Sequence, residues 1–118
     1  MDIRTIYYSP EYEEFLSVQS QSVQTKYDYI EHIICSIKVV NTKFVKRLEG
    51  TEFYEARVSV GSNEYRTVIF AIDAENFIES SRVLFLNSFV KKSTKQYKQA
   101  ISDARRILNR YKEDTKHD

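Results

Sequence analysis

The sequence predicts an α+β domain, a small antiparallel sheet with two helices before it and one after it, in the order β-α-α-β-β-β-α. Three observations lead there. Apolar residues recur at three- and four-residue steps from Gln24 to Val40 and again from Tyr97 to Tyr111, the period of helices that bury one face. Between them lie three runs rich in β-branched and aromatic residues, Phe53 to Val60, Tyr65 to Ile72 and Val83 to Val90. The chain has 118 residues, the size of one domain, so residues 1–118 are read as a single unit.

Ile3 to Tyr8 is a short β-prone run. Ser9-Pro10-Glu11 then starts a helix: serine caps, proline suits the first turn, and Glu11, Glu13 and Glu14 favour its positive end. A second, amphipathic helix carries Tyr27, Ile30, Ile34, Ile37 and Asn41 on one stripe, widened by Ile33 and Val40. Phe44, Val45 and Leu48 form a short helical or irregular stretch that Gly50 ends by accepting a left-handed conformation. Gly61-Ser62-Asn63-Glu64 joins the first two strands as a hairpin, and Asp73-Ala74-Glu75-Asn76 is a turn. The run Val83 to Val90, broken only by Asn87-Ser88, is too apolar for an edge strand and is placed centrally. Ser93 with Gln96 has capping-box spacing, and Tyr97, Ala100, Ile101, Ala104, Ile107, Leu108 and Tyr111 trace the buried face of the last helix. Beyond Glu113 the periodicity stops, and a frayed tail is expected.

Apolar residues make up 42% of the chain and aromatics 14%, far above a disordered composition. The net charge of +1 hides an asymmetry: residues 1–81 hold 8 Lys/Arg against 13 Asp/Glu, a balance of −5, and residues 82–118 hold 10 against 4, or +6. Such a positive end suits a polyanion, an acidic protein partner or plain solvent. Cys35 is the only cysteine and sits among isoleucines, which points to an inert, buried thiol in a reducing compartment. The start Met1-Asp2-Ile3-Arg4 lacks signal-peptide character and no apolar run reaches ~20 residues, so a cytoplasmic protein without membrane contact is expected.

Two glycines leave no phosphate-cradling loop, and one Cys with His32 and His117 makes no metal cluster, so neither cofactor nor metal is expected. Both histidines fit ordinary surface roles, and Glu11, Glu13 and Glu14 fit a helix start rather than a hydrolytic pair. What remains is a basic and phenolic group: Arg57 and Arg66 on the hairpin, then Lys91, Lys92 and Tyr97 after the third strand. Cleaving RNA with its own 2′-hydroxyl needs a base, an acid for the leaving 5′-oxygen, and positive charge around the phosphate. Arginine can fork onto phosphate oxygens, and lysine or tyrosine can move protons where neighbours tune them. The same residues also read as solvated strand ends.

Four stretches carry a resemblance: Val45-Lys46-Arg47-Leu48-Glu49-Gly50-Thr51, Phe53-Tyr54-Glu55-Ala56-Arg57, Glu64-Tyr65-Arg66-Thr67-Val68, and Leu84-Phe85-Leu86-Asn87-Ser88-Phe89-Val90-Lys91-Lys92 with its following helix. In that order and spacing, over roughly residues 45 to 111, the chain resembles the RelE/HigB superfamily of type II toxin-antitoxin toxins, nearest the HigB-like branch. The resemblance implies a RelE-like fold and a ribosome-dependent, metal-independent mRNA endoribonuclease that inhibits translation, acting on the ribosome and mRNA. It also implies a cognate antitoxin, often a helix-turn-helix DNA-binding protein, that either covers the basic site or adds a strand or helix.

Carried across by position, Arg57 and Arg66 match phosphate-binding or transition-state arginines, Lys91 and Lys92 the basic pair after the last strand, and Tyr97 the aromatic residue that stacks on or orients substrate. Lys46 and Arg47 match contacts to ribosomal RNA or antitoxin, and Lys95 and Lys98 complete the RNA-facing set. The chain departs from the family twice. Glu55 stands where RelE has a lysine, and Asn87 where HigB-like relatives often have a histidine. Glu55 then serves either as the base or as the partner of a neighbouring arginine. Arg66→Ala is expected to abolish cleavage without unfolding the chain. ParE-like relatives share the fold and poison DNA gyrase without cutting RNA, which is the alternative reading, and an inactive remnant is a third.

Overall fold

The computed structural model describes residues 2–116. Its elements are β1 (Thr5–Tyr8), α1 (Pro10–Ser17), α2 (Gln21–Ser36), β2 (Val45–Arg47), β3 (Phe53–Val60), β4 (Asn63–Ala71), β5 (Arg82–Val90) and α3 (Lys95–Lys116). The fold is α+β, with two helices before the hairpin and one after β5, as expected and compatible with a RelE-like fold. The five strands lie in the order β1-β5-β4-β3-β2, so the apolar β5 is central.

Two expectations about the sheet are corrected. It is mixed rather than antiparallel, because β1 runs parallel to β5, from Thr5 beside Arg82 to Tyr8 beside Phe85. A parallel pair needs a long crossover, and here everything from α1 to β4 supplies it. The element order also gains a strand, since Val45-Lys46-Arg47 pairs antiparallel with Ala56, Glu55 and Tyr54 instead of coiling. Three residues are too few to display a period. Gly50 does take the left-handed conformation, at φ 74°, but it turns β2 into β3 rather than ending a helix. At the hairpin, Gly61 at φ 60° occupies the first position of a two-residue loop, which demands glycine.

The sheet buries both faces. On one side Tyr12, Val23, Tyr27, Ile30 and Ile34 of α1 and α2 meet Tyr54, Ala56, Tyr65, Ile69 and Phe85. On the other, Ala100, Ala104, Ile107 and Leu108 of α3 meet Phe53, Val68, Leu84 and Leu86. Each large side chain so buried contributes roughly 1.5–3 kcal/mol. A polar thread crosses the first layer: the Tyr27 hydroxyl lies 2.8 Å from Thr67 Oγ1, which lies 2.6 Å from Ser88 Oγ. Burial pushes the Tyr27 phenol up to about 12, so it stays a neutral hydrogen-bonding group. The Asn87-Ser88 break is a register shift opposite Thr67 to Ile69, with Asn87 Nδ2 donating to Ala100 O at 3.0 Å.

Helix α1 starts as expected, with the Ser9 side chain accepting from Tyr12 N at 3.0 Å and Pro10 next to the cap. Helix α2 ends at Ser36, short of the expected Val40. The cause is Arg4, 2% exposed, whose guanidinium gathers the carbonyls that a longer helix would use itself. Arg4 Nη1 donates to Ile34 O (3.0 Å) and Ile37 O (2.7 Å), and Nη2 to Lys38 O (2.6 Å), Phe77 O (3.1 Å) and Ile78 O (3.2 Å). It also stacks 4.1 Å from the Phe77 ring centroid. Burial lowers its pKa from the ordinary arginine value.

At the other end α3 runs on to Lys116, so the tail expected to fray from Glu113 is helical, with Thr115 Oγ1 donating to Tyr111 O at 3.1 Å. His117 lies outside the described residues, and His32 is exposed. Cys35 is half-buried rather than buried, and desolvation pushes its thiol up. No helix among the described residues is long and apolar enough to cross a membrane.

Candidate functional site

Helix α3 begins at Lys95, and the polar residues of β3 and β4 collect on the sheet face beside its first turn. Alternation along β3 puts Phe53, Glu55 and Arg57 on the α3 side, because Tyr54, Ala56 and Val58 belong to the opposite layer. The hairpin register sets Arg57 directly beside Arg66, and Arg66 beside Phe89. Lys91 extends the ladder by one bond, its N–H donating to Glu64 O at 2.7 Å.

Glu55 is the centre of this corner. It is 6% exposed, and its carboxylate lies 3.7 Å from Arg57 Nε through one oxygen and 3.9 Å from Arg66 Nε through the other. That second oxygen, Oε2, is buried without a hydrogen-bond partner. The expected pairing of Glu55 with a neighbouring arginine therefore holds, with two arginines instead of one. Glu64 also pairs with Arg66, so the two arginines are matched by two carboxylates and the excess positive charge at the corner comes from Lys91.

Arg66 is 2% exposed, which a strand-end phosphate ligand would not be. It donates to Tyr65 O (3.0 Å), to Glu64 Oε1 (3.3 Å) and to the Tyr97 hydroxyl (3.3 Å). Removing it would leave the buried Glu55 with Arg57 alone, so Arg66→Ala is expected to destabilise the fold, against the expectation from the sequence that it leaves the fold intact. Arg57 keeps 31% of its side chain exposed and is the arginine that a ligand can reach.

Tyr97, in the first turn of α3, packs edge-on against Phe89 with ring centroids 5.3 Å apart. Burial first, then the Glu55 carboxylate, hold its phenol above the ordinary tyrosine value. The group is therefore a neutral proton donor at physiological pH. The Lys91 ammonium lies 5.8 Å from the same ring centroid. Gln96, which sequence spacing marked only as half of a capping box, fixes the loop between them. Its Oε1 accepts from the N–H groups of Lys92 and Ser93, and its Nε2 donates to Val90 O at 2.9 Å.

The remaining basic residues divide. Lys46 sits opposite Glu55 in the β2–β3 register and is exposed. Lys92, Lys95 and Lys98 are exposed around the start of α3. Among the described residues none of these four, nor Lys91, is paired with a carboxylate. Arg47 stands apart: it donates to Thr51 O at 3.0 Å, reaches the Tyr54 hydroxyl at 3.4 Å and lies 5.6 Å from that ring, a brace for the β2–β3 turn. Asn87 is engaged with α3 and takes no part in the corner.

Sequence spacing did not reveal Glu64 as a third partner of Arg66 or Phe89 as the support of Tyr97. Both follow once the strands are in register, since Glu64 is two residues from Arg66 on one face and Phe89 is its cross-strand neighbour. Among the described residues no group of three His, Cys, Asp or Glu side chains is arranged to hold a metal ion. Comparison with protein-family models, with curated proteins and with solved structures finds no match to this chain.

Proposed function

We propose that the chain is a toxin of a type II toxin-antitoxin system, a metal-independent endoribonuclease that cuts mRNA on the ribosome. The observation that carries this reading is the convergence of Glu55, Arg57, Arg66, Lys91 and Tyr97, from two strands, a loop and a helix, on one corner where Arg57 and Lys91 keep partial exposure. The resemblance to the RelE/HigB superfamily rests on the same residues.

In this scheme Arg57, with Lys91 and Lys92, binds the scissile phosphate and offsets the charge that builds on it during attack by the 2′-hydroxyl. The basic pair supplies charge or a proton, and the neutral Tyr97 phenol faces the substrate as positioning group and proton donor. Arg66 acts through its neighbours, fixing the Glu55 carboxylate and the Tyr97 hydroxyl. Lys46, Lys95 and Lys98 add long-range attraction for the RNA backbone. A cognate antitoxin would silence the protein by covering this corner or by adding an element to the domain.

The test is expression without a partner, followed by primer extension on cellular transcripts. Growth arrest with cleaved mRNA is expected, and Arg57→Ala should lower cleavage by about 100-fold or more while the protein stays folded. Arrest with intact transcripts would sink the nuclease, and a DNA-damage response in its place would favour the gyrase-poisoning alternative.

A further inference from the structure

A second cationic feature lies beside this corner and shares only Arg57 with it. Strand β2 begins only at Val45, opposite Ala56, and past the bond from Arg57 N–H to Phe44 O at 2.8 Å no strand covers the outer edge of β3. A cavity of about 300 Å³ opens at that uncovered edge, lined by Lys26 and Tyr29 of α2, Lys43 and Phe44 of the following segment, and Arg57 and Ser59 of β3.

The lining has a chemical logic. Three cations contribute to it and no carboxylate does. Tyr29 is 55% exposed, and its ring stands edge-on to Phe44 at 6.2 Å between centroids. The Lys43 ammonium lies 4.9 Å from the Phe44 ring centroid. An exposed aromatic ring for a base, with lysines in the same lining for the phosphate, is the arrangement that takes single-stranded nucleic acid. Arg57 belongs to both places, since its Nε faces Glu55 while the residue lines the cavity.

We infer that this cavity is a subsite for one nucleotide of a single RNA strand, adjoining the nucleotide whose phosphate lies at the Glu55–Arg66–Tyr97 corner. The base stacks on Tyr29 beside Phe44, Lys26 and Lys43 hold its phosphate, and the strand passes over the open edge of β3 at Arg57. The choice of RNA as the strand rests on the proposed nuclease reading.

The experiment uses the full chain and a fluorescent six-nucleotide 2′-O-methyl RNA, which cannot be cut through its own 2′-oxygen, with affinity read by anisotropy. Tyr29→Ala should weaken binding about tenfold, and Lys26→Ala and Lys43→Ala should each lower the slope of log affinity against log salt by roughly 0.7. Both lysines are exposed, as is Tyr29, so the variants should keep the parental circular dichroism. A change below twofold for Tyr29→Ala overturns the subsite. So does a nucleoside monophosphate that binds as tightly as the hexamer, which would mark a free-nucleotide site. Poly-glutamate that displaces the hexamer at equal concentration would mark a surface for acidic protein, and also overturns it. Tyr29-dependent binding together with intact cellular transcripts would keep the subsite and remove the nuclease. Cleaved transcripts with Tyr29-insensitive binding would do the reverse.

Discussion

Arg66→Ala tests the account of the corner most directly, because it separates a ligand-binding arginine from one that supports the interior. The substitution removes the bonds to Tyr65 O, Glu64 and Tyr97 and takes away the cation 3.9 Å from Glu55 Oε2, an oxygen that has no hydrogen bond to fall back on. Only Arg57, at 3.7 Å and partly solvated, would remain to offset the buried carboxylate. Stranding one partner of a buried pair costs roughly 3–5 kcal/mol, a large share of the ~5–15 kcal/mol that holds a domain of this size together. Urea unfolding followed by circular dichroism should show the midpoint falling by about 2 M, given a slope of roughly 2 kcal/mol per M. Replacing both members, Glu55→Leu with Arg66→Met, should return stability to within ~1 kcal/mol of the parent, since the buried carboxylate and buried guanidinium go together and the partners left behind, Arg57 and Glu64, reach solvent. A loss under ~1 kcal/mol for Arg66→Ala, or a double variant no more stable than the single one, would refute this reasoning. The outcome also decides how an inactive Arg66 variant is interpreted: activity must be scaled to the folded fraction.

Arg4→Lys should destabilise the protein by roughly 3 kcal/mol in the same urea assay, because an ammonium cannot reach the five carbonyls that the guanidinium fork holds together. Tyr27→Phe should cost about 1–2 kcal/mol by leaving Thr67 Oγ1 with Ser88 alone, again measured by urea unfolding. Glu11 pairs with Arg110 through two 2.6 Å bonds, and that pairing first of all holds its carboxyl below the ordinary value. A depressed folded-state pKa adds stability above the unfolded value, about 4.3, and loses it as pH falls through the folded one. The pair is partly solvent-exposed, so Glu11→Gln should cost under ~1 kcal/mol at pH 7, and the gap from the parent should close below about pH 4 in thermal melts. Tyr97→Phe should slow cleavage while leaving the parental rate flat from pH 7 to about 9, since burial and Glu55 keep the phenol protonated there; a parental rate that falls across that range would remove Tyr97 as proton donor.

Much of this architecture could be read from residue order, and the exceptions have identifiable causes. The facing of Arg57 and Arg66 follows from the hairpin: once Gly61 and Ser62 make the turn, Val60 meets Asn63 and the register runs back to the two arginines. The amphipathic stripes of α2 and α3 announced themselves through their period. The end of α2 did not, because it is imposed by Arg4, thirty residues upstream of the first carbonyl it takes. Nor did the pairing of β1, whose four residues carry no mark of direction. At the site, sequence placed the right charges on the right strands but not their depth, so Arg66 and Glu55 looked alike with Arg57 although burial gives them different work. Lys26 and Tyr29 escaped notice because they lie off the apolar stripe of α2, and Lys43 because it joins them only through the fold, at the open edge of β3.

The parallel pairing of β1 with β5 also sets the timing of assembly during synthesis. Thr5 has Arg82 as its partner, so β1 has no neighbouring strand until about 80 more residues have followed it, roughly 4–16 s at ordinary elongation rates. The hairpin of β3 and β4 closes over short distances and can be complete before then, whereas Arg4 must wait for the carbonyls of Phe77 and Ile78. A nascent chain stalled before Phe77 would therefore hold its hairpin formed and its N-terminal segment undocked, open to proteases, and docking of Arg4 would be the late step that closes that window.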